Sequence, residues 1–230
     1  MDEGPRNPVR GDKRQRIDVS HAVEDGMITY KGLPAPVICD FLSREASRDR
    51  YAPGTEFQMG EITMCSNTGT YVDSPFHRFA DGTDLSELPL DRLAALDAVK
   101  IDVSELSRAI DRAALLPYDV KGKAVLIQTG WDRHWRTDAY FEGHPYLTHE
   151  AAAHLVEAGA IFVGIDSLNI DDTEDGTRPV HTTLLGAGIP VCEHMTNLQS
   201  VPETDFQLSA VPVKVRGMGT FPVRAYAIFD

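Results

Sequence analysis

Apolar and polar positions change period several times along this chain, and each change marks an expected element. Residues 123–129 (KAVLIQT) form a near-continuous apolar run, the pattern of a strand buried on both faces. A second strand is expected at 98–103 and a third at 161–165. Residues 148–158 (THEAAAHLVEA) form the clearest helix: Thr148 suits an N-cap, Glu150 lies in the first turn, and Gly159 supplies the stop. That helix runs directly into the strand at 161–165, so it packs on a sheet. Residues 55–64 alternate well enough for strands, and 88–96 is a short helix candidate. Further strands are expected at 189–192, 208–215 and 221–229, with Pro212 and Pro222 pointing to edge positions or strand starts for the last two. Pro34, Pro36, Pro53 and Gly54 punctuate residues 30–54, which therefore read as long loops. Residues 1–15 are polar and rich in Pro, Gly and Arg, and read as a flexible tail ahead of one domain over 16–230. The sum is a mixed α/β domain with more strands than helices.

Composition narrows the functional classes. A chain of 230 residues fits one domain, and 42% hydrophobic with 25% charged residues is the balance of a globular protein. With 22 basic against 35 acidic residues the net charge is −13, which repels nucleic acid and anionic membrane surfaces and leaves a small molecule or another protein as partner. Cys39, Cys65 and Cys192 lie far apart and form no disulfide framework, so a reducing compartment is expected. The opening residues offer no apolar signal-peptide core, and no apolar run reaches the ~18 residues of a transmembrane helix. A cytoplasmic protein is the expectation.

The densest polar constellation is residues 67–78, NTGTYVDSPFHR. In an extended stretch Tyr71 and Asp73 point the same way, and an Asp and a His on one rigid loop suit a metal ligand and a proton carrier. An Asp before Ser-Pro equally suits a turn. Elsewhere the chemistry is thinner. The acidic run Asp166, Asp171, Asp172, Glu174, Asp175 lacks the spacing of a calcium loop and reads as solvated. Gly186-x-Gly188 lacks the third glycine of a dinucleotide fingerprint, and no Gly-x-Ser-x-Gly elbow is present. His134, His144 and His149 stand among Trp131, Trp135, Tyr140, Phe141 and Tyr146, a composition suited to a pocket wall or a subunit contact. His21 orders a turn or lines the pocket, His154 is half-buried packing, and His194 is structural.

The segment 67–78 resembles the signature His-x-Gly-Thr-His-x-Asp-x-Pro-x-His of the metal-dependent cyclase-like hydrolases. Bacterial kynurenine formamidase, isatin hydrolase and proteins described as polyketide cyclases belong to that family. The likeness continues through Ile17-Asp18-Val19-Ser20-His21, Gly130-Trp131, His144-Pro145-Tyr146-Leu147 and Val163-Gly164-Ile165-Asp166. It ends with His181-x-x-Leu184-Leu185-Gly186, Ile189-Pro190-Val191-Cys192-Glu193 and Thr196-Asn197-Leu198. It implies a single swivelling β/β/α domain with a mixed sheet, assembled as a homodimer or homotetramer with a neighbouring chain near the pocket.

In binuclear members the resemblance implies one metal held by the two motif His and the Asp, and a second held by that Asp with a downstream His and Glu. Here Asn67 and Tyr71 stand at the first two histidine positions, whereas Asp73, Pro75 and His77 are kept, and His181 and Glu193 match the downstream pair. An Asn carbonyl is a poor zinc ligand and a phenol ligates well only when ionised. The expectation is one divalent ion, zinc or manganese, held by Asp73, His181 and Glu193. The alternative is a metal-free cluster of Tyr71, Asn67 and His77. The implied reaction is hydrolysis of a small amide, lactam or lactone at a C–N or ester C–O bond. His77 would be the proton shuttle, Tyr71 and Asn67 hydrogen-bond donors, and His21 and Trp131 parts of the substrate pocket. Two other readings stay open. One is a secondary-metabolite cyclase or dehydratase using Tyr71 and His77; the other is a silent homologue serving as a binding subunit.

Overall fold

The computed structural model describes residues 14–230, so the expected tail lies, up to residue 13, outside the described residues. The first third of the chain contains β1 (Gln15–Asp18), β2 (Val37–Leu42), α1 (Arg44–Ser47), β3 (Met59–Thr63) and β4 (Tyr71–Asp73). The middle contributes β5 (Leu96–Asp102), β6 (Ala109–Ile110), β7 (Ala124–Gln128), β8 (Tyr146–Leu147) and α2 (His149–Ala158). The last part holds β9 (Phe162–Ile165), α3 (Pro179–Gly186), β10 (Val191–Glu193), β11 (Phe206–Ser209), β12 (Thr220–Pro222) and β13 (Tyr226–Phe229).

Among these, nine strands form one mixed sheet in the order β1-β13-β11-β5-β7-β9-β10-β4-β12. The central run β5-β7-β9-β10 is parallel, and both flanks are antiparallel. Parallel neighbours need crossovers, and the β7–β9 and β9–β10 connections carry α2 and α3 respectively. Side chains alternate across the central strands. Val99, Ile101, Val125, Ile127, Val163, Ile165 and Val191 pack with Leu155, Val180, Leu184 and Leu185 of the two helices. Ala98, Ala124, Leu126, Phe162 and Cys192 face the other way. There they meet Val72 from one end of the sheet and Leu208 and Ala227 from the other, so the sheet curls to close a second core. This is the single α/β domain with a mixed sheet that the resemblance implied. No helix among the described residues is long and apolar enough to cross a membrane.

The expected helix at 148–158 forms with both of its signals in use. Thr148 Oγ1 accepts from the Ala151 N–H, and Gly159 ends the helix in the left-handed conformation at φ 83°. Four segments depart from expectation, the first being 208–215: β11 covers Phe206–Ser209, stops before Pro212 and lies between β13 and β5 rather than at an edge. Residues 30–54 are not all loop, because β2 pairs antiparallel with β3 in a separate ribbon. Apart from buried Leu42 its strand residues are exposed on both faces, so no half-buried alternation betrays them. Residues 88–96 yield only a 3-10 turn at Leu90–Arg92, and Leu96 already belongs to β5. The segment 221–229 divides into β12, an edge strand that ends at Pro222, and β13 on the far side of the sheet. Helix α3 lacked an expectation because its β-branched Val180, Thr182 and Thr183 weaken helical propensity, yet Val180, His181, Leu184 and Leu185 bury one stripe of it.

Candidate active site

Strands β4 and β10 pair antiparallel with Tyr71 opposite Glu193, Val72 opposite Cys192 and Asp73 opposite Val191. Because Val72 and Cys192 turn into the second core, Tyr71, Asp73 and Glu193 must project from the opposite face. Helix α3 begins beside that face and delivers His181 from its first turn. One ligand atom each from Asp73, His181 and Glu193 lies within 4.8 Å of the others, and all three residues are buried. His181 Nε2 stands 3.6 Å from Asp73 Oδ2 and 3.5 Å from Glu193 Oε1. Those separations exceed a good hydrogen bond. They approach the ~3.4 Å expected between two atoms bound to one zinc-sized ion at a tetrahedral angle with ~2.1 Å bonds.

The imidazole is aimed by a residue that sequence reasoning left in solvent. Asp171 is fully buried, as is Asp166, which corrects the reading of the acidic run as solvated for these two, while Glu174 and Asp175 are exposed. Asp171 Oδ1 accepts the Val180 N–H at 2.6 Å, while Oδ2 takes the His181 N–H at 3.0 Å and its Nδ1 at 2.6 Å. The carboxylate thus caps α3 and commits Nδ1, leaving Nε2 to face Asp73 and Glu193. Asp166 instead braces the turn after β7, accepting from Thr129 and Gly130. Burial pushes its carboxyl up to about 7.

Electrostatics fit this donor set to a cation. Burial disfavours a charged His181, but Glu193, Asp171 and Asp73 outweigh burial and hold its pKa above the ordinary imidazole range. Burial, reinforced by Asp73, raises Glu193. Asp73 Oδ2 is buried with no hydrogen-bond partner. A buried orphan carboxylate oxygen facing an imidazole and a second carboxylate is the chemistry of a divalent-ion site, so the residues present fit one such ion.

His77 follows from the short 3-10 turn Pro75–His77 that leaves β4. Thr220 on edge strand β12 pairs with Asp73, and its Oγ1 donates to Asp73 Oδ1. Having spent its one proton there, the hydroxyl accepts from His77 Nδ1–H at 2.9 Å, and His77 Nε2 keeps its lone pair. The turn is clamped between two glycines. A Cβ on Gly82 would stand 2.6 Å from the Pro75 carbonyl carbon, and one on Gly219 would stand 2.4 Å from the His77 nitrogen. Neither Asp171 nor Thr220 had a sequence signal, because neither lies within the motif it serves.

A cavity of about 300 Å³ opens beside this cluster, lined by Asn67, Tyr71, His77, His181 and Glu193 together with Tyr30, Leu33, Arg78, Asn169 and Arg178. The expected Asn67, Tyr71 and His77 therefore share one wall with the metal-fitting residues. Tyr71 Oη donates to Glu193 Oε2 at 2.7 Å, and Asn67 lines the cavity beside it. Burial, Glu193 and Asp73 raise the Tyr71 phenol well above its usual range. His21 and Trp131 are not among the cavity-lining residues. His21 stacks on Trp135 at 3.9 Å, and Trp131 Nε1 donates to the Tyr140 carbonyl at 3.0 Å. His144, read as pocket wall or subunit contact, is buried, and its Nε2 meets the Asp171 carbonyl at 3.0 Å. His194, expected to be structural, is buried against the Tyr140 hydroxyl at 2.8 Å.

Comparison with known proteins agrees with this architecture. Residues 17–172 match the protein family described as "Putative cyclase", and the chain belongs to it. Kynurenine formamidase of Bacillus cereus is 29% identical over 210 residues, covering 91% of this chain and 95% of that one. The solved structure of isatin hydrolase A from Labrenzia aggregata superposes with a TM-score of 0.80 at 21% identity, covering 94% of each chain. A structure described as a predicted metal-dependent hydrolase from Bacillus stearothermophilus has a TM-score of 0.74 at 25% identity, covering 94% of this chain and 99% of that one.

Proposed function

We propose that this cyclase-family protein hydrolyses a small amide, lactam or lactone, with Asp73, His181 and Glu193 holding one divalent ion, zinc or manganese. The observation that carries the reading is the meeting of three buried ligand atoms, remote in sequence, beside the wall that bears His77. The relatives named as a formamidase, an isatin hydrolase and a metal-dependent hydrolase support the reaction class. When bound, the ion supplies Lewis acidity towards a carbonyl oxygen and makes water acidic enough to react near neutral pH.

The chain's own groups do the rest. Asp171 keeps His181 in the tautomer that offers Nε2. His77, with Nδ1–H given to Thr220, uses Nε2 to take a proton from the attacking water and return it to the leaving nitrogen or oxygen. Asn67 and Tyr71 act as replacements for two ligand histidines of the family signature. Tyr71 supports this, since a phenol held protonated by burial and by Glu193 is a hydrogen-bond donor rather than a ligand. Asn67 and Asn169 add neutral dipoles from the same cavity wall for orienting a carbonyl compound.

Homo-oligomer formation belongs to the same reading. The β2–β3 ribbon presents Val37, Ile38, Phe41, Met59 and Ile62 to solvent, an apolar surface that an isolated two-stranded ribbon does not keep exposed cheaply.

Metal analysis and a hydrolysis panel test the function. Protein purified without chelators should carry close to one zinc or manganese per chain. It should hydrolyse at least one of a set of formanilides, cyclic imides and lactones, and His77→Ala should abolish that turnover. Less than about a tenth of an equivalent of metal, with none bound on titration, removes the ion from the reading. A metal-loaded protein inert across the panel removes hydrolysis and moves the site towards ring closure or dehydration.

A further inference from the structure

Two guanidinium groups share the cavity with the cluster. Arg78 immediately follows His77, and Arg178 immediately precedes α3, so one arginine comes from each of the two segments that deliver the reactive imidazoles. Six Lys or Arg side chains among the described residues form ion pairs with Asp or Glu; Arg78 and Arg178 are among those that do not, and they are the two that line this cavity. Both are instead held by neutral acceptors. Arg78 Nε donates to Thr182 Oγ1 at 3.0 Å, and its guanidinium lies 5.3 Å from the Phe79 ring centre. Arg178 Nη1 donates to the Asp172 carbonyl at 2.7 Å, and its charge acts on the Tyr30 phenol, which lines the same cavity. Neighbouring Asp175, which feels the Arg178 charge, spends its Oδ1 on the Thr177 backbone and hydroxyl.

The backbone at Arg178 adds an independent sign. It sits in the left-handed region at φ 49°, directly before Pro179, a conformation that costs a residue with a Cβ and persists only where the surroundings impose it. Arginine there brings a planar fork with five donors, most of them unspent, to the cavity.

We propose that Arg78 and Arg178 form an anion-binding subsite, and that the substrate carries a carboxylate separate from the carbonyl that is attacked. The inference rests on the hydrolase reading for the reacting bond but not for the binding. An ion bound by Asp73, Glu193 and neutral His181 gives a charge-balanced centre, with nothing beyond it to answer a substrate anion. The two unpaired guanidiniums answer that charge with hydrogen bonds that water meets less well in a partly enclosed cavity. Neutral amides lose these bonds, and the selectivity follows from that difference.

The test uses the intact metal-loaded protein with 2-, 3- and 4-formamidobenzoate against formanilide, which share one scissile bond and differ by the carboxylate. At least one formamidobenzoate should exceed formanilide in kcat/KM by about tenfold or more, chiefly through KM. Arg178→Gln and Arg78→Gln should each bring that ratio down by about ten- to hundredfold, the range of a charged hydrogen bond. Arg178→Lys should retain part of it. Arg78, the exposed one, guards against a folding defect in the Arg178 variant. Equal or better turnover of formanilide, or ratios untouched in both Gln variants, overturns the anion subsite while leaving hydrolysis intact. If no compound is turned over, calorimetry with the same four compounds decides. Carboxylate-selective binding lost in the Gln variants upholds the subsite without the hydrolase reading, and absent or arginine-independent binding overturns the subsite.

Discussion

Asp171→Asn separates a metal-orienting role for this carboxylate from a merely structural one. In the wild type Oδ2 accepts both the His181 N–H and its Nδ1–H, while Oδ1 accepts from Val180. The amide has one acceptor oxygen and keeps only part of this set: with that oxygen on the Val180 N–H, its NH₂ faces both the His181 N–H and Nδ1. Two donors cannot share that 2.6 Å contact, so the neutral imidazole must move its proton to Nε2, the atom needed by the ion. Loss of such a partner typically weakens metal affinity about 10–100-fold, or about 1.4–2.7 kcal/mol. Replacing a charged acceptor in a buried bond should also cost about 2 kcal/mol of stability, lowering Tm by about 4–8 °C for a chain of this size. Isothermal titration of the metal-free protein with zinc or manganese measures the first effect, and thermal melting the second. Asp175→Asn is the control, because that exposed carboxylate bonds only Thr177 and should leave metal affinity within twofold. A folded Asp171→Asn protein whose metal affinity also stays within twofold would refute the argument that this carboxylate aims the imidazole.

Thr220→Val removes the hydroxyl between Asp73 and His77 and should lower kcat about tenfold or more with little change in KM. Thr220→Ser should restore most of that loss, and failure of the rescue would point to packing against β4 instead. His21 is held neutral, with burial lowering it from 6.5 to about 4 despite the opposing charge of Asp132. Its contribution to stability is therefore present above pH 6.5 and lost as pH falls towards 4, by about 1–2 kcal/mol between pH 7 and 5 once partial exposure is discounted. Urea denaturation at those two pH values should show a smaller difference for His21→Phe than for the wild type, and an equal difference would contradict it. Phe41→Asp, placed where the ring is 69% exposed, should shift the protein towards monomer in light scattering without lowering Tm. A wild type that is already monomeric would count against the oligomer reading.

Local signals were legible where the physics is local. The helix at α2 declares itself because its Thr148 cap and Gly159 stop lie at its own ends, and β7 because a strand buried on both faces must be apolar throughout. The order of Asp73, His77, His181 and Glu193 was also readable, since residue types and spacings survive in the chain itself. What the sequence could not determine is which distant groups complete them. Thr220 lies 147 positions from Asp73 and reaches it only through the register of β12 on β4. Asp171 looks like any solvated acid until α3 folds back and hands it two helix N–H groups and an imidazole. The alternation of side chains says which face a residue takes, but the neighbour it meets there depends on strand order and register. Those are settled by how the two cores pack as a whole, which no single window of residues encodes.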